Sequence, residues 1–308
     1  MDLTVDQLLR VAFDAVESDA RDLPAGLEAR VLARSLEGPK PLQHPGWRSG
    51  WDAELDSLGV YVRTAAELAD LLDALDVDDW TRQTRLEEAT VRDVVVHLLG
   101  VERYVLGQLG RRPRFDAPRR EDHWPVSKQA ADPPPAPGAS LAAAWWAAAL
   151  DVVAACGELG PDHEVAYHHL GGPTSGLLLV RAFELWTHGD DIRSATDRPL
   201  NLLDEARLSL MVSELMAALP LGLALSGCPQ PGRSARLKLT GAGGGTFDVA
   251  LAPGERPGQP DVTLSAEVIG ICRLAANRLV ADDLAVVVEG DASLVEPILV
   301  GAAAFAAD

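Results

Sequence analysis

Between about residues 50 and 197 the chain carries four long segments in which apolar side chains recur every three or four residues, the spacing of one helical face. They begin near Ala53, Thr90, Ser140 and Thr174, and stretches rich in proline or glycine, which end helices, separate them. Helices with one apolar face bury it by packing against one another. The pattern therefore predicts a four-helix bundle.

Local signals refine this prediction at two places. Thr90 is a suitable N-cap for the second helix, and Asp93 stands three residues later, in the position of a capping box. The connection at residues 111–139, by contrast, is rich in Arg, Asp and Pro. Its composition predicts an exposed loop or lid between the second and third helices.

The pattern changes after residue 199. One more helical segment follows, and then segments with the two-residue alternation of β-strands alternate with helices. The predicted strands are residues 235–240, 246–251, 261–265 and 284–289. We therefore expect a multidomain α+β protein, with a helical N-terminal extension at residues 1–45, the helix bundle at 46–200 and a small α+β domain at 201–308.

The charge of the chain argues against one class of partner. The sequence has 46 Asp and Glu against 27 Lys and Arg, a formal net charge of −19, which repels the phosphate backbone of nucleic acids. It shows neither a signal-peptide pattern at its start nor about 18 continuous apolar residues. Its three cysteines have no close pairing, which suits a reducing compartment. We expect a cytoplasmic protein that binds neither nucleic acid nor membranes.

Three residues have the pattern of a metal site. Glu184 and His188 are four residues apart in the fourth helical segment and so share one helical face. His97 stands among apolar residues of the second helix, and two His with one Glu form a ligand set of catalytic zinc, with a fourth position for water or substrate. The alternatives are a core histidine at 97 and a surface ion pair between 184 and 188. Burying the side chains of His97, Glu184 and His188 without partners costs free energy, and one metal ion would be a partner for all three.

Neighbouring positions are candidates for supporting roles. Arg181, one turn before Glu184, is suited to orient its carboxylate or to bind an anionic substrate; a structural arginine is the alternative. Asp191, three residues after His188, is suited to hold an imidazole N–H or to cap a helix turn. We take Arg181 and Asp191 as candidate catalytic residues. In the predicted loop, His123 and Trp124 are candidates for substrate access, with a solvated loop as the alternative.

Two stretches resemble the signature stretches of a known family. They are Thr90-Val91-Arg92-Asp93 through His97-Leu98, preceded by Asp79-Trp80, and Arg181-x-x-Glu184-x-x-x-His188-x-x-Asp191-Ile192-x-x-Ala195. Both are similar to stretches of the mycothiol-dependent maleylpyruvate isomerase family, whose bundle belongs to the DinB-like metal-binding four-helix bundles. The resemblance covers roughly residues 50–200. The tail around residues 286–294 resembles the family's C-terminal domain, which is similar to sterol-carrier-protein-like folds.

The resemblance implies a divalent ion, usually zinc, at His97, Glu184 and His188, and a low-molecular-weight thiol, mycothiol, as cosubstrate. Coordination to a cation favours the thiolate, the reactive form of a thiol whose pKa is about 8.5. The expected function is a zinc-dependent enzyme that activates this thiol for addition, S-transfer or cis–trans isomerisation of an electrophilic small molecule. Two alternatives stay open: a metal-dependent enzyme of specialised metabolism that uses no thiol, and a non-catalytic ligand-binding or regulatory module.

Overall fold

The computed structural model describes residues 55–114, 122–167 and 170–305. The predicted helical extension at residues 1–45 lies outside these ranges and stays a prediction. Residues Gly46–Asp308 form one compact unit. The domain boundary predicted near residue 200 falls inside this unit and also stays a prediction.

Within the described residues, five α-helices precede residue 200. They are α1 (Ser57–Asp73), α2 (Val91–Gln108), α3 (His123–Ala131), α4 (Ala139–Leu159) and α5 (Thr174–Ala195). The four long ones confirm the predicted bundle helices. Helix α1 packs against α4 and α5, and α2 also packs against both, so that residues such as Trp145 and Leu185 are almost fully buried between them.

The predicted capping box sets the start of α2. The backbone N–H of Asp93 donates to Thr90 Oγ1 at 3.3 Å, and the N–H of Thr90 donates to Asp93 Oδ2 at 3.0 Å. These reciprocal bonds satisfy two donors that a helix start leaves without partners. Because α2 begins at Val91, His97 lies inside the helix, where it is 1% exposed.

The prediction of an exposed loop at residues 111–139 is wrong in its middle, because α3 forms there and packs against α2. The two backbones approach closely at Gly100, where a Cβ atom would lie 1.8 Å from the carbonyl oxygen of Ser127. Val126 and Ala131 of α3 are buried. Composition averaged over the whole connection conceals a short helix between polar, proline-rich flanks.

A two-stranded hairpin leads into α5. Its antiparallel strands are β1 (Glu164–Tyr167) and β2 (Leu170–Pro173). From its glycine and proline residues this region was predicted only as a break between helices, and the strands were not predicted. Pro173 ends β2 and is also the N-cap residue of α5, so the hairpin fixes where the helix with Glu184 and His188 begins.

The remaining elements confirm the predicted α+β character. They are α6 (Glu205–Leu225), β3 (Ser234–Thr240), β4 (Gly245–Ala250), β5 (Val262–Glu267), α7 (Val268–Ala275), β6 (Val286–Gly290) and α8 (Val295–Ala303). The sheet order is β4-β3-β5-β6, with β3 antiparallel to β4 and parallel to β5, and β5 antiparallel to β6. The predicted hairpin between β3 and β4 turns at Gly241 and Gly243, whose φ angles of 99° and 76° favour glycine.

Helix α6 connects the bundle to the sheet. It contacts α5 of the bundle as well as β4 and α8. Its contact with α8 is close, since a Cβ atom on Gly222 would lie 2.1 Å from the carbonyl oxygen of Gly301. The apolar core consequently continues from the bundle into the sheet.

Two described helices, α4 and α6, are long and apolar enough to cross a membrane by length and composition alone. In each, 44% of the apolar segment is buried inside the protein. Helix α4 buries Trp145 and Val152, and α6 buries Leu219 and Leu223. Packing in the core is therefore sufficient to explain the hydropathy of both helices.

Candidate metal centre

Three side chains from three helices converge on one point in the bundle. His97 comes from α2, His123 from the first position of α3 and Glu184 from α5. Nε2 of His97 lies 3.1 Å from Oε1 of Glu184, and Nε2 of His123 lies 3.2 Å from the same oxygen. The ligand atoms of the three residues all lie within 4.8 Å of one another. His97 and Glu184 thus come together as predicted, and His123 joins them.

His188 lies beside this cluster. The centroid of its ring is 5.2 Å from that of His97, and the residue is 3% exposed. Its Nδ1 lies 3.1 Å from Oδ2 of Asp191. Because a carboxylate only accepts hydrogen bonds, we assign the hydrogen to Nδ1, which leaves the lone pair of the neutral ring on Nε2. This is the tautomer that a metal ligand needs, and the ligand role of His188 stays a prediction.

Residues of α3 hold the ring of His97 in one orientation. Its Nδ1 lies 2.7 Å from the hydroxyl of Ser127, which itself donates to the carbonyl of Trp124 at 2.8 Å. The hydroxyl therefore accepts from Nδ1–H of His97, and Nε2 keeps its lone pair. The indole of Trp124 stacks on the imidazole at a centroid distance of 4.2 Å. Burial lowers the pKa of His97 to about 3, so the ring is neutral near pH 7.

Arg181 holds Glu184 as a carboxylate. One guanidinium nitrogen donates to Oε2 of Glu184, and another donates to Oε1 of Glu102 at 2.8 Å. Arg181 and Glu102 are both 0% exposed. Burial works to raise the pKa of Glu184, but Arg181 and His123 outweigh it and hold that pKa well below its ordinary value. This contact matches one of the alternatives considered for Arg181, orientation of Glu184, and a catalytic role of Arg181 stays a prediction.

The contact between His97 and Glu184 tests whether a metal ion fits. A nitrogen lone pair faces a carboxylate oxygen at 3.1 Å, which is repulsive unless a cation lies between the two atoms. Two donor atoms that each lie about 2.0–2.1 Å from a tetrahedral zinc ion are about 3.3–3.4 Å from each other. The observed distances from Glu184 Oε1 to the Nε2 atoms of His97 and His123, 3.1 and 3.2 Å, are close to this value. Imidazole nitrogen and carboxylate oxygen are both ordinary zinc ligands. The residues therefore fit a divalent ion.

Asp191 connects His188 to the C-terminal part of the chain. Besides facing His188, its carboxylate accepts two hydrogen bonds from Arg278, from Nε to Oδ1 at 2.9 Å and from Nη2 to Oδ2 at 2.6 Å. Burial works to raise the pKa of Asp191, but these partners outweigh it and lower the pKa. An ionised Asp191 fixes the imidazole of His188, as carboxylates do behind the histidine ligands of many metal sites.

Two described cysteines take no part in this chemistry. Burial raises the pKa of Cys156 to about 11 and that of Cys272 to about 12. Both thiols therefore stay protonated near pH 7. Both are free and buried, and a buried free cysteine packs as a small apolar side chain.

Sequence reasoning found Arg181 but missed Glu102, Ser127 and Arg278. Glu102 carried a usable signal, because its charge is opposite to that of Arg181 and both residues lie on apolar helices, which predicts a buried pair. Ser127 carried none once its helix had been taken for a loop. Arg278 carried none either, since it lies 87 residues from Asp191 in the chain.

One family model matches the part of the chain that holds these residues. Residues 61–193 match the family model described as "Mycothiol maleylpyruvate isomerase N-terminal domain", a range that contains His97, His123, Glu184 and His188. No curated protein matches the chain significantly.

Two solved structures are similar in fold. A crystal structure of a mutant of mycothiol-dependent maleylpyruvate isomerase is 18% identical with a TM-score of 0.51, and covers 75% of this chain and 91% of its own. A second crystal structure of that enzyme is 19% identical, with the same coverage and a TM-score of 0.49. At this identity the first of them supports the fold alone, including the α+β part that follows the bundle.

Proposed function

We propose that the protein is an enzyme that uses a divalent metal ion, zinc in the first instance, to activate a low-molecular-weight thiol. The premise is that residues 61–193 belong to the mycothiol maleylpyruvate isomerase N-terminal domain family. The thiol is mycothiol or a close relative, and the reaction is addition, S-transfer or cis–trans isomerisation of an electrophilic small molecule. The observation that carries the proposal is the lone pair of His97 directed at the ionised carboxylate of Glu184. His97, Glu184 and His188 are the residues that would hold the ion.

The charges around the site suit this chemistry. Two hydrogen-bonded groups lie at the site, Glu102 with Arg181 and Glu184 in one and Asp191 with Arg278 in the other. With all five side chains ionised, their formal charges of −3 and +2 sum to −1. A divalent ion brings the sum to +1 and, when bound, favours the thiolate over the thiol. A positive, partly dehydrated site also attracts a substrate that carries a carboxylate.

The remaining residues position the ligands. Arg181 fixes Glu184, and Asp191 with Arg278 fixes His188. Ser127 fixes the tautomer of His97, while Trp124 covers one face of its ring and excludes water there. Side chains that are held before the ion binds lose little entropy when it does.

A titration with mycothiol tests the use of a thiol. Cobalt-substituted protein should develop a thiolate-to-cobalt charge-transfer band when mycothiol is added. The disulfide of mycothiol, which has no thiol, serves as the control and should give no band. Cobalt binding without a band would contradict the proposed thiol chemistry and support a metal-dependent enzyme that uses no thiol.

Turnover is the second test. Maleylpyruvate, the substrate that the names of the similar structures indicate, is the first electrophile to assay. Isomerisation that requires both the metal and mycothiol would support the proposal. Metal and thiol binding without turnover of any electrophile would instead favour a non-catalytic ligand-binding module.

The proposed location follows from the same chemistry. The proposed reaction needs mycothiol in its reduced form, and the described cysteines are free thiols. Both suit the reducing conditions of the cytoplasm. Cytoplasmic location therefore stays our prediction, as does the absence of a nucleic-acid or membrane partner.

A further inference from the structure

An imidazole nitrogen of His123 lies at the proposed metal position beside that of His97, one of the two predicted histidine ligands. His123 is 7% exposed, and its Nε2 lies 3.2 Å from Oε1 of Glu184, the oxygen that also faces Nε2 of His97. The other oxygen, Oε2, accepts from Arg181. Nε2 of His97 and Nε2 of His123 thus converge on the one carboxylate oxygen that the arginine leaves for the ion.

The inclination of the rings agrees with a shared ion. The ring of His123 stands at 79° to that of His97 with centroids 4.9 Å apart, and the ring of His188 stands at 75° to His97 at 5.2 Å. Imidazole lone pairs lie in the plane of the ring. Rings that bind one ion turn about their metal–nitrogen bonds, so the steep angles observed here are compatible with a shared ion.

Helix α3 is fixed at the place where it presents His123. Gly100 of α2 admits the backbone of Ser127 at a distance that no side chain would allow. Trp124 stacks on His97, and Ser127 bonds to the Nδ1 of that ring. One turn of α3 thus contacts His97 at two places and Glu184 at a third, through His123.

We infer that His123 is a fourth protein ligand of the metal ion, so that without thiol the ion is held by His97, His123, Glu184 and His188. The inference rests on the proposed metal site. Three imidazoles and one carboxylate fill a tetrahedral shell, so an external ligand binds by replacing one of them or by raising the coordination number to five.

The test uses the metal ion alone, without thiol. Metal-free wild type, His123→Ala and His163→Ala are titrated with Co²⁺ and followed by visible absorption. His163 is an exposed histidine outside the cluster, so its replacement is the matched control. We expect His123→Ala to bind Co²⁺ at least about tenfold more weakly and with an altered spectrum, because water takes the place of an imidazole. X-ray absorption of the zinc forms should count three imidazoles in wild type and two in His123→Ala.

Several results would overturn the inference. If the Co²⁺ spectrum and the imidazole count of His123→Ala equal those of wild type, His123 is not a ligand. If only the affinity for Co²⁺ falls, His123 acts on the site through its hydrogen bond to Glu184 and not as a ligand. A thermal melt of each metal-free protein, with His123→Gln as a milder variant, separates loss of binding from loss of folding. If wild type binds no metal, the proposed function fails as well. If His97→Ala loses the metal and His123→Ala keeps it unchanged, only the present inference is wrong.

Discussion

At the residue scale, hydrogen bonds decide which nitrogen of His97 and of His188 keeps its lone pair. Nδ1–H of His97 donates to Ser127, and Nδ1–H of His188 donates to Asp191. In both rings the lone pair is therefore on Nε2, the nitrogen that a neutral imidazole uses to bind metal when Nδ1 carries the hydrogen. Arg181 has the corresponding function for Glu184, because its guanidinium occupies one carboxylate oxygen and leaves the other for the ion.

The neutral state of His97 predicts a pH dependence for the metal-free protein. Its pKa is about 3 in the folded state and about 6.5 in an unfolded chain, so the unfolded chain binds the proton first. The stability from His97 is fully present above pH about 6.5 and falls by about 1.4 kcal/mol per pH unit below it. The stability difference between wild type and His97→Gln should shrink accordingly when urea unfolding is measured from pH about 7 to about 5. A pH-independent difference would contradict a neutral, buried His97.

Arg181 should be the most important single residue for the stability of the site. Replacing it with Met leaves the carboxylates of Glu102 and Glu184 buried without a counter-charge, which costs about 3–5 kcal/mol. Urea unfolding of the metal-free protein measures this loss. Arg236→Ala is the control, because Arg236 pairs with Asp248 on an exposed surface, where ion pairs contribute little. Equal free energies of unfolding for the two variants would show that the ion pairs of Arg181 with Glu102 and Glu184 do not stabilise the protein.

At the scale of the element, the short helix α3 defines one side of the site. It supplies His123 and the two residues that fix His97, and it depends on a glycine of another helix for its position. The contact makes α3 sensitive to a change of one methyl group in α2.

Gly100→Ala should therefore displace α3. The added Cβ would lie 1.8 Å from the carbonyl oxygen of Ser127, so we expect a loss of about 1–3 kcal/mol in stability together with weaker metal binding. Gly157→Ala is the matched control, since it is also helical and its Cβ would meet nothing closer than Leu58 Cδ2 at 4.0 Å. The control should gain stability, by about 0.5–1 kcal/mol. A Gly100→Ala protein as stable as this control would contradict the close packing.

The same elements show what sequence could predict. Four long amphipathic segments and the Thr90 capping box were sufficient for the bundle, because both signals are local. Helical spacing placed Glu184 and His188 on one face of a helix, and the high energy of buried polar groups favoured His97 as their partner. Helix α3 was missed because its position depends on Gly100 of another helix, and that contact is not local. With α3 hidden, His123 could be assigned only to an access loop.

At the scale of the whole molecule, the C-terminal part of the chain contributes to the site through Arg278. This residue follows α7 and makes two hydrogen bonds to Asp191, which orients His188. The bundle alone therefore does not contain the whole network. Arg278 also lies beyond residues 61–193, the range of the family match.

Arg278→Ala should weaken metal binding although Arg278 does not face the ion. Loss of a group that orients a ligand typically lowers metal affinity about 10–100-fold. Competition with a chelator measures the zinc affinity of wild type, Arg278→Ala and the surface control Arg236→Ala. An affinity that changes equally in both variants, or in neither, would show that the C-terminal part does not support the metal site.

The claim that a divalent ion is held where His97 and Glu184 meet is tested most directly by metal content. Wild type, His97→Ala, Glu184→Gln and the control His163→Ala are loaded with zinc, dialysed and analysed by mass spectrometry of the metal. We expect close to one zinc ion per chain in wild type and in His163→Ala, and little zinc in His97→Ala and Glu184→Gln. Equal zinc content in all four proteins, or none in wild type, would contradict it.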